Sequence, residues 1–339
     1  MIYNLFLSST LIVCASLFFS CNGDSKKTTS SDSTKQISSV NIPNFNADSA
    51  FSYIDKQVSF GPRVPNSEAH KKCADYLTLF LKNFTEHVIV QETKVKAYNG
   101  TMLPIKNIIA SYKPEINNRI FICSHWDSRP YADEDPDPKN HKKPIPGAND
   151  GASGVGVIME LARLLKENPA PIGIDLILFD AEDYGQPENS ELPEVEDSWC
   201  LGSQYWSKNP HLKGYYAKYG ILLDMVGAKD ATFTMEEISR FYAPDILNKV
   251  WGIANTLGYS SYFLYTKTAG VTDDHLYINQ ITKIPTIDVI DRNSSTPSGF
   301  NKNWHTLKDD MEGIDKTTLK AVGQTMLNVI FQEQPIASN

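Results

Sequence analysis

Carboxylates and histidines recur in this sequence where apolar runs end. His125 and Asp127 follow Phe121 to Ser124, Glu182 and Asp183 follow Leu176 to Phe179, Asp224 closes Ile221 to Leu223, and Asp288 sits inside Ile287 to Ile290. Asp150 opens a helical stretch within Gly147-Ala148-Asn149-Asp150-Gly151-Ala152-Ser153-Gly154, where small residues would let the backbone approach an ion. Singly, each has a plainer use: Asp150 as an Asx turn or N-cap, the Glu182-Asp183 pair as solvated surface, His305 in Asn303-Trp304-His305-Thr306 as an ordinary loop histidine. Together they are the inventory of a catalytic zinc site, which takes three protein ligands from His, Asp, Glu or Cys and keeps one position open. Glu182 and Asp183 are adjacent and must point in different directions, so one can bind metal while its neighbour acts as a base.

The surrounding pattern predicts what must hold these residues. Helical spacing runs over Ala69 to Leu81, and His87 to Val95 alternates as a half-buried strand does. Ile105 to Tyr112 and Arg119 to Ser124 read as further strands. After Asp150, Gly154 to Leu165 places Val157, Leu161, Leu164 and Leu165 on one helical face. Ile174 to Phe179, Tyr219 to Met225 and Ile284 to Val289 are nearly continuous apolar runs, the mark of strands covered on both faces. The expected fold is α/β, three layers deep, with a mixed, mostly parallel central sheet flanked by helices and an antiparallel edge. In such sheets ligands bind beyond the carboxyl ends of the strands, where the acids and histidines stand.

A chain of 339 residues with 41% hydrophobic content can bury a large core. A net charge of -8 without a basic block excludes nucleic acid as a partner. Residues Leu5 to Phe19 form an apolar run too short to span a bilayer comfortably, ending in Leu17-Phe18-Phe19-Ser20-Cys21. This reads as a bacterial lipoprotein signal over residues 1–20, although its start has no Lys or Arg and Phe18 is bulky for its place. Cys21 would then carry acyl chains, with residues 21–40, rich in Ser, Thr, Lys and Asp, as a tether. The expected location is the bacterial cell envelope, anchored to a membrane and facing the periplasm or the exterior. Residues 41–339 contain no second tether or repeat and read as one catalytic domain. Cys73, Cys123 and Cys200 lack CxxC spacing, which argues against a thiolate metal site and leaves one disulfide or three free thiols open.

The order and context of the motifs resemble the zinc-dependent aminopeptidase superfamily, and within it the animal-type glutaminyl-peptide cyclotransferases. Phe60-Gly61-Pro62-Arg63, His125-Trp126-Asp127-Ser128, the Asp150 loop, Phe179 to Asp183, and Leu222 to Ala228 carry the superfamily likeness. Asp273-Asp274-His275 and Trp304-His305-Thr306-Leu307-Lys308-Asp309-Asp310 are similar to the cyclases in particular. The resemblance implies a zinc aminopeptidase-like fold, Asp150, Asp183 and His305 as ligands of one Zn²⁺, and Glu182 as general acid and base. It also implies Asp273 as an acid near the reacting amide, with Asp224 as its partner. In the two-metal aminopeptidases the positions matching His125 and Asp224 bind a second zinc, so the resemblance allows two ions here; an Asp224 tied to Asp273 would leave one. The implied reaction turns an amino-terminal Gln of a peptide or protein into pyroglutamate and releases ammonia. Trp304, Phe300 and Trp199 are candidate walls of the substrate pocket, while Trp126 is expected to pack under the sheet edge.

Three departures from the family pattern stand out. Asp183 replaces a common Glu, Asp288 stands where animal cyclases carry His, and the acidic loop Gln186 to Asp197 lacks a Trp just after the paired acids. The competing readings are an aminopeptidase in which Glu182 activates water, and a surface binding module without activity.

Overall fold

The structure, a computed structural model, describes residues 41–334, so the expected signal, tether and Cys21 lie outside the described residues. Eight strands follow in order: β1 (Val88–Lys96), β2 (Met102–Tyr112), β3 (Arg119–His125), β4 (Gly173–Phe179), β5 (Gly220–Asp224), β6 (Phe233–Met235), β7 (Phe263–Lys267) and β8 (Thr286–Ile290). Six of them form the main sheet in the order β1-β2-β4-β3-β5-β8, while β6 and β7 pair separately. β1 runs antiparallel to β2 and β2 antiparallel to β4; the remaining neighbours are parallel. The sheet is therefore mixed, with its antiparallel part at one edge.

The helices are α1 (Ala47–Val58), α2 (Glu68–Lys82), α3 (Ala152–Glu167), α4 (Leu201–Lys208), α5 (Glu237–Tyr242), α6 (Pro244–Thr256), α7 (Asp274–Thr282) and α8 (Lys316–Phe331). Alternation along the apolar strands sends side chains into both helical layers. Ile120, Ile122, Leu176, Leu178, Ile221 and Leu223 join the larger core, which also contains Ile54 of α1, Leu161 of α3 and Leu327 of α8. Phe121, Cys123, Ile177, Phe179 and Leu222 join the second core with Trp206 of α4 and Ile278 of α7. Each fully buried aliphatic or aromatic side chain contributes roughly 1.5–3 kcal/mol, so residues on both strand faces fix the register that aims the strand ends. At the opposite end of the sheet, the buried Asp175 carboxylate accepts from Arg119 Nε and Nη2 at 2.7 and 2.8 Å, Ser111 Oγ at 2.6 Å and Tyr215 Oη at 2.8 Å.

Two boundaries differ from the expectation for clear reasons. The third helix begins at Ala152 rather than Gly154, because Gly151 at φ +87° turns the chain into it. The last strand begins at Thr286 rather than Ile284, since Pro285 has no N–H to give the ladder; its carbonyl accepts from Gly220 N at 2.9 Å. Trp126 is fully buried, stacked on His70 with ring centroids 4.4 Å apart, and donates Nε1–H to the Lys106 carbonyl of β2 at 3.0 Å. Cys73, Cys123 and Cys200 are free and buried, so none forms the disulfide left open by the sequence.

Candidate active site

The carboxyl ends of β3, β4 and β5 converge on the amino terminus of α3. Two glycines permit the approach: a Cβ at Gly154 would lie 2.2 Å from the Leu223 carbonyl, and one at Gly151 would lie 2.7 Å from the Asp127 carbonyl. The helix start thereby drives Asp150 between two histidines. Its Oδ1 lies 3.0 Å from His125 Nε2, and its Oδ2 lies 3.6 Å from His305 Nε2. Asp150 also receives structural support from behind, where the Asp309 carboxylate accepts from Asn149 N at 2.8 Å and Asp150 N at 3.0 Å.

After β4 the chain passes through Ala181 in the left-handed region (φ +53°), which separates the two following acids. Asp183 Oδ1 faces His305 Nε2 at 3.3 Å, with Arg129 Nη1 at 3.7 Å. Glu182 points elsewhere: its Oε1 accepts from Cys200 Sγ at 3.1 Å. Asp127 fixes both peptide groups, accepting from Glu182 N at 3.0 Å and Asp183 N at 3.2 Å. His305, itself at φ +54°, turns its Nδ1 toward Asp133 Oδ1 at 3.3 Å and is near-parallel to two indoles, Trp304 at 3.7 Å and Trp199 at 6.1 Å between ring centroids. Strained non-glycine backbone at Ala181, Cys200, Met225 and His305 surrounds one site, the kind of place where such strain persists.

Asp150, Asp183 and His305 are brought together, with one donor atom from each within 4.8 Å of the others; His125, Asp150 and Asp224 form a second such set. Asp150 belongs to both. Neither oxygen of the buried Asp183 has a hydrogen-bond partner, and an orphaned buried carboxylate is costly unless something else satisfies it. Two carboxylates and an imidazole suit Zn²⁺ in charge and donor type, so the residues present fit the ion. Burial first, then the charge of Asp150, pushes the Asp183 carboxyl up to about 6. Burial opposes a charge on His125, but the surrounding Asp127, Asp150 and Asp224 outweigh it and hold the imidazolium well above its usual range.

Asp224 Oδ1 lies 3.2 Å from His125 Nε2, and burial first, with the charges of Asp273 and Asp150 working against His125, pushes its carboxyl up to about 7, so both His125 and Asp273 act on it. Glu182 and Asp273 lie together at the same site. Burial pushes both carboxyls up, and for Glu182 the Asp273 and Asp183 charges add to this against the opposing charge of His125.

These groups line a cavity of about 500 Å³ whose walls include Trp199, Phe300 and Trp304, the three aromatic candidates. Arg292 covers Phe300 at 4.3 Å from its ring centroid. The sequence reading missed Arg129, Asp133, Asp309 and Cys200. Arg129 and Asp133 did leave a signal, being charged residues in the loop directly after His125-Trp126-Asp127-Ser128, whereas the contact of Cys200 with Glu182 depends on a loop closure that spacing does not encode.

Comparison with known proteins fits this geometry. The chain is 52% identical to the structure of Bacteroides thetaiotaomicron glutaminyl cyclase bound to N-acetylhistamine, at a TM-score of 0.85 over 87% of this chain and 100% of that one. It is equally similar, at 52% identity and a TM-score of 0.85, to a Zn-dependent exopeptidase from Parabacteroides distasonis over 86% of this chain and all of that one. The glutaminyl-peptide cyclotransferase of Bothrops jararaca is 28% identical over 242 residues, 63% of this chain and 61% of that protein. The chain spans 54 to 61% of the length of the curated relatives it matches first. Residues 107–330 match the model of peptidase family M28, and the chain belongs to this family.

Proposed function

We propose that the protein cyclises the amino-terminal glutaminyl residue of peptides to pyroglutamate with release of ammonia. The observation that carries this reading is the joint placement of Glu182 and Asp273, two buried carboxyls of raised proton affinity, at one cavity wall beside the Asp150, Asp183 and His305 set. The 52% likeness to a glutaminyl cyclase supports it.

Asp150, Asp183 and His305 would hold one Zn²⁺, which when bound supplies a Lewis acid for the side-chain amide carbonyl. The substrate's own α-amine attacks the amide carbon, a carbon–nitrogen bond forms, and the bond to the amide nitrogen breaks. Glu182 takes one proton from the attacking amine and gives it to the departing nitrogen, so no water is consumed. A group with proton affinity well above that of an ordinary carboxylate serves both halves of that transfer better than an exposed Glu would. Asp273, whose Oδ1 accepts from Asp274 N at 2.5 Å, keeps Oδ2 for the reacting amide. Trp304, Trp199 and Phe300 wall the cavity with apolar surface that limits water, the competitor that would lead to hydrolysis.

One ion is expected at the Asp150, Asp183 and His305 set, where both Asp183 oxygens lack a hydrogen bond, and His125, Asp150 and Asp224 are the set that a second would need. Ion counting by elemental analysis on the purified protein should find one tightly held zinc; two would contradict this. We further infer that Cys21 is acylated and anchors the protein to the cell envelope; a Cys21→Ser variant would then leave the membrane fraction, and unchanged membrane retention would refute the anchor.

The test of the reaction is ammonia release from a short peptide beginning with Gln, followed against peptide length. The reading expects ammonia with no shortening of the chain, abolished in Glu182→Gln. Release of a free amino-terminal residue would make the protein an aminopeptidase.

A further inference from the structure

Cys200 is a buried free thiol held in the left-handed region at φ +57°, and its backbone N–H also donates to the Glu182 carbonyl at 2.9 Å. The chain therefore doubles back so that the thiol meets the proposed base from behind. Glu182, Cys200 and Asp273 each offer one donor atom within 4.8 Å of the other two, and the three come from separate segments: the loop after β4, the residue before α4 and the cap of α7. None belongs to the Asp150, Asp183 and His305 set. Asp273 is 3% exposed and its Oδ2 has no hydrogen-bond partner, so the cluster holds an unsatisfied buried acceptor as well as the thiol. Glu182 and Asp273 both face the cavity, which gives a solute a path to the cluster.

We propose that Glu182, Cys200 and Asp273 form a second cation site that takes a thiophilic divalent ion, Cd²⁺ or Zn²⁺ in excess, and inhibits the enzyme by occupying its base. The sulfur donor selects the ion class, because thiolate prefers soft cations over Mg²⁺ or Ca²⁺. Two carboxylates and one thiolate supply the charge, and binding releases the thiol proton to solvent through the cavity. The site itself stands on geometry; only its inhibitory consequence rests on the cyclase reading, since an ion there sequesters the carboxylates assigned to proton transfer and amide contact.

The experiment titrates the zinc-loaded full chain with CdCl₂ and follows the ultraviolet thiolate-to-cadmium charge-transfer absorption, with cyclase activity measured on the same samples. Exchange of Cd²⁺ into the Asp150, Asp183 and His305 set adds no such absorption, because that set contains no sulfur. The proposal expects an absorption component in the wild type and in Cys123→Ala that is missing in Cys200→Ser, with inhibition following the same component. Asp273→Asn keeps the thiol and should weaken that component's affinity by roughly tenfold or more, which carries the test if Cys200→Ser does not fold. Identical titrations of wild type and Cys200→Ser, or of wild type and Asp273→Asn, would overturn the site. Binding at Cys200 without inhibition would leave the site standing and count against Glu182 as the base.

Discussion

Asp127 offers the sharpest perturbation of the site because it touches neither the cavity nor the proposed ion, yet it holds two residues that do. Its carboxylate is fully buried and accepts from the backbone N–H groups of both Glu182 and Asp183. Asp127→Ala strands two buried donors. At about 1–3 kcal/mol for each unsatisfied group the loss is about 2–6 kcal/mol, a large share of a typical total of about 5–15 kcal/mol. Asp127→Asn keeps one acceptor and turns an amide N–H toward the other donor, so it should cost about half as much. The turn would also loosen under both residues at once, so zinc affinity should fall roughly 10–100-fold alongside kcat. Chemical denaturation of the metal-free protein, a chelator-competition titration and steady-state kinetics give the three numbers. An Asp127→Ala protein within about 0.5 kcal/mol of wild type, the range of an inert surface change, with unaltered zinc affinity would refute the argument.

Other consequences follow from the same geometry. Glu182→Gln should lower kcat by about 10²–10⁴-fold while zinc content stays that of the wild type, measured by elemental analysis; loss of the ion would mean Glu182 is a ligand instead. Gly154→Ala would press a methyl group to 2.2 Å from the Leu223 carbonyl, so α3 must shift; thermal unfolding should show a destabilisation of about 1–3 kcal/mol or more, together with weaker zinc binding. Removing the metal with a chelator should abolish ammonia release and lower the unfolding temperature, both restored by Zn²⁺; full activity in verified metal-free protein would contradict the assignment of the site. Burial pushes the Asp291 carboxyl up to about 6, so the folded chain holds its proton longer than the unfolded chain does. Its contribution, on the order of 3 kcal/mol at most, is favourable below the unfolded value and is lost as pH rises from about 4 through about 6. Asp291→Asn should flatten that part of the stability-versus-pH curve, and an unchanged slope would show that another group sets it.

Much of this site was legible because its chemistry lies where apolar runs stop. The strands β3, β4 and β5 are covered on both faces, which makes them nearly continuous hydrophobic runs, and His125 and Asp224 close β3 and β5 while Glu182 and Asp183 stand shortly after β4. The Asp150 loop announced itself through its small residues, and Gly151 and Gly154 do permit the close approach of α3. Other features depend on contacts between distant segments and leave no local pattern. Asp288 stood out as an acid inside an apolar run, yet its closeness to Asp273 and His275 depends on how α7 lies across β8. The contact of Asp224 with His125 is set by the neighbouring places of β3 and β5 in the sheet, which periodicity does not encode. β6 has three residues and β7 five, too short for alternation to stand out, and the approach of Cys200 to Glu182 needs the chain to return across the long acidic loop between them.

The central claim is that the substrate's amine, rather than water, attacks the glutamine side chain in a site held by Asp150, Asp183 and His305 and served by Glu182. Reaction of a Gln-initiated peptide in ¹⁸O-labelled water, read by mass spectrometry, tests it most directly. The account predicts a product lighter by one ammonia that carries no ¹⁸O, formed by the zinc-loaded protein and not by Glu182→Gln; ¹⁸O in a shortened peptide's released residue, or in a Glu-initiated product, would contradict it.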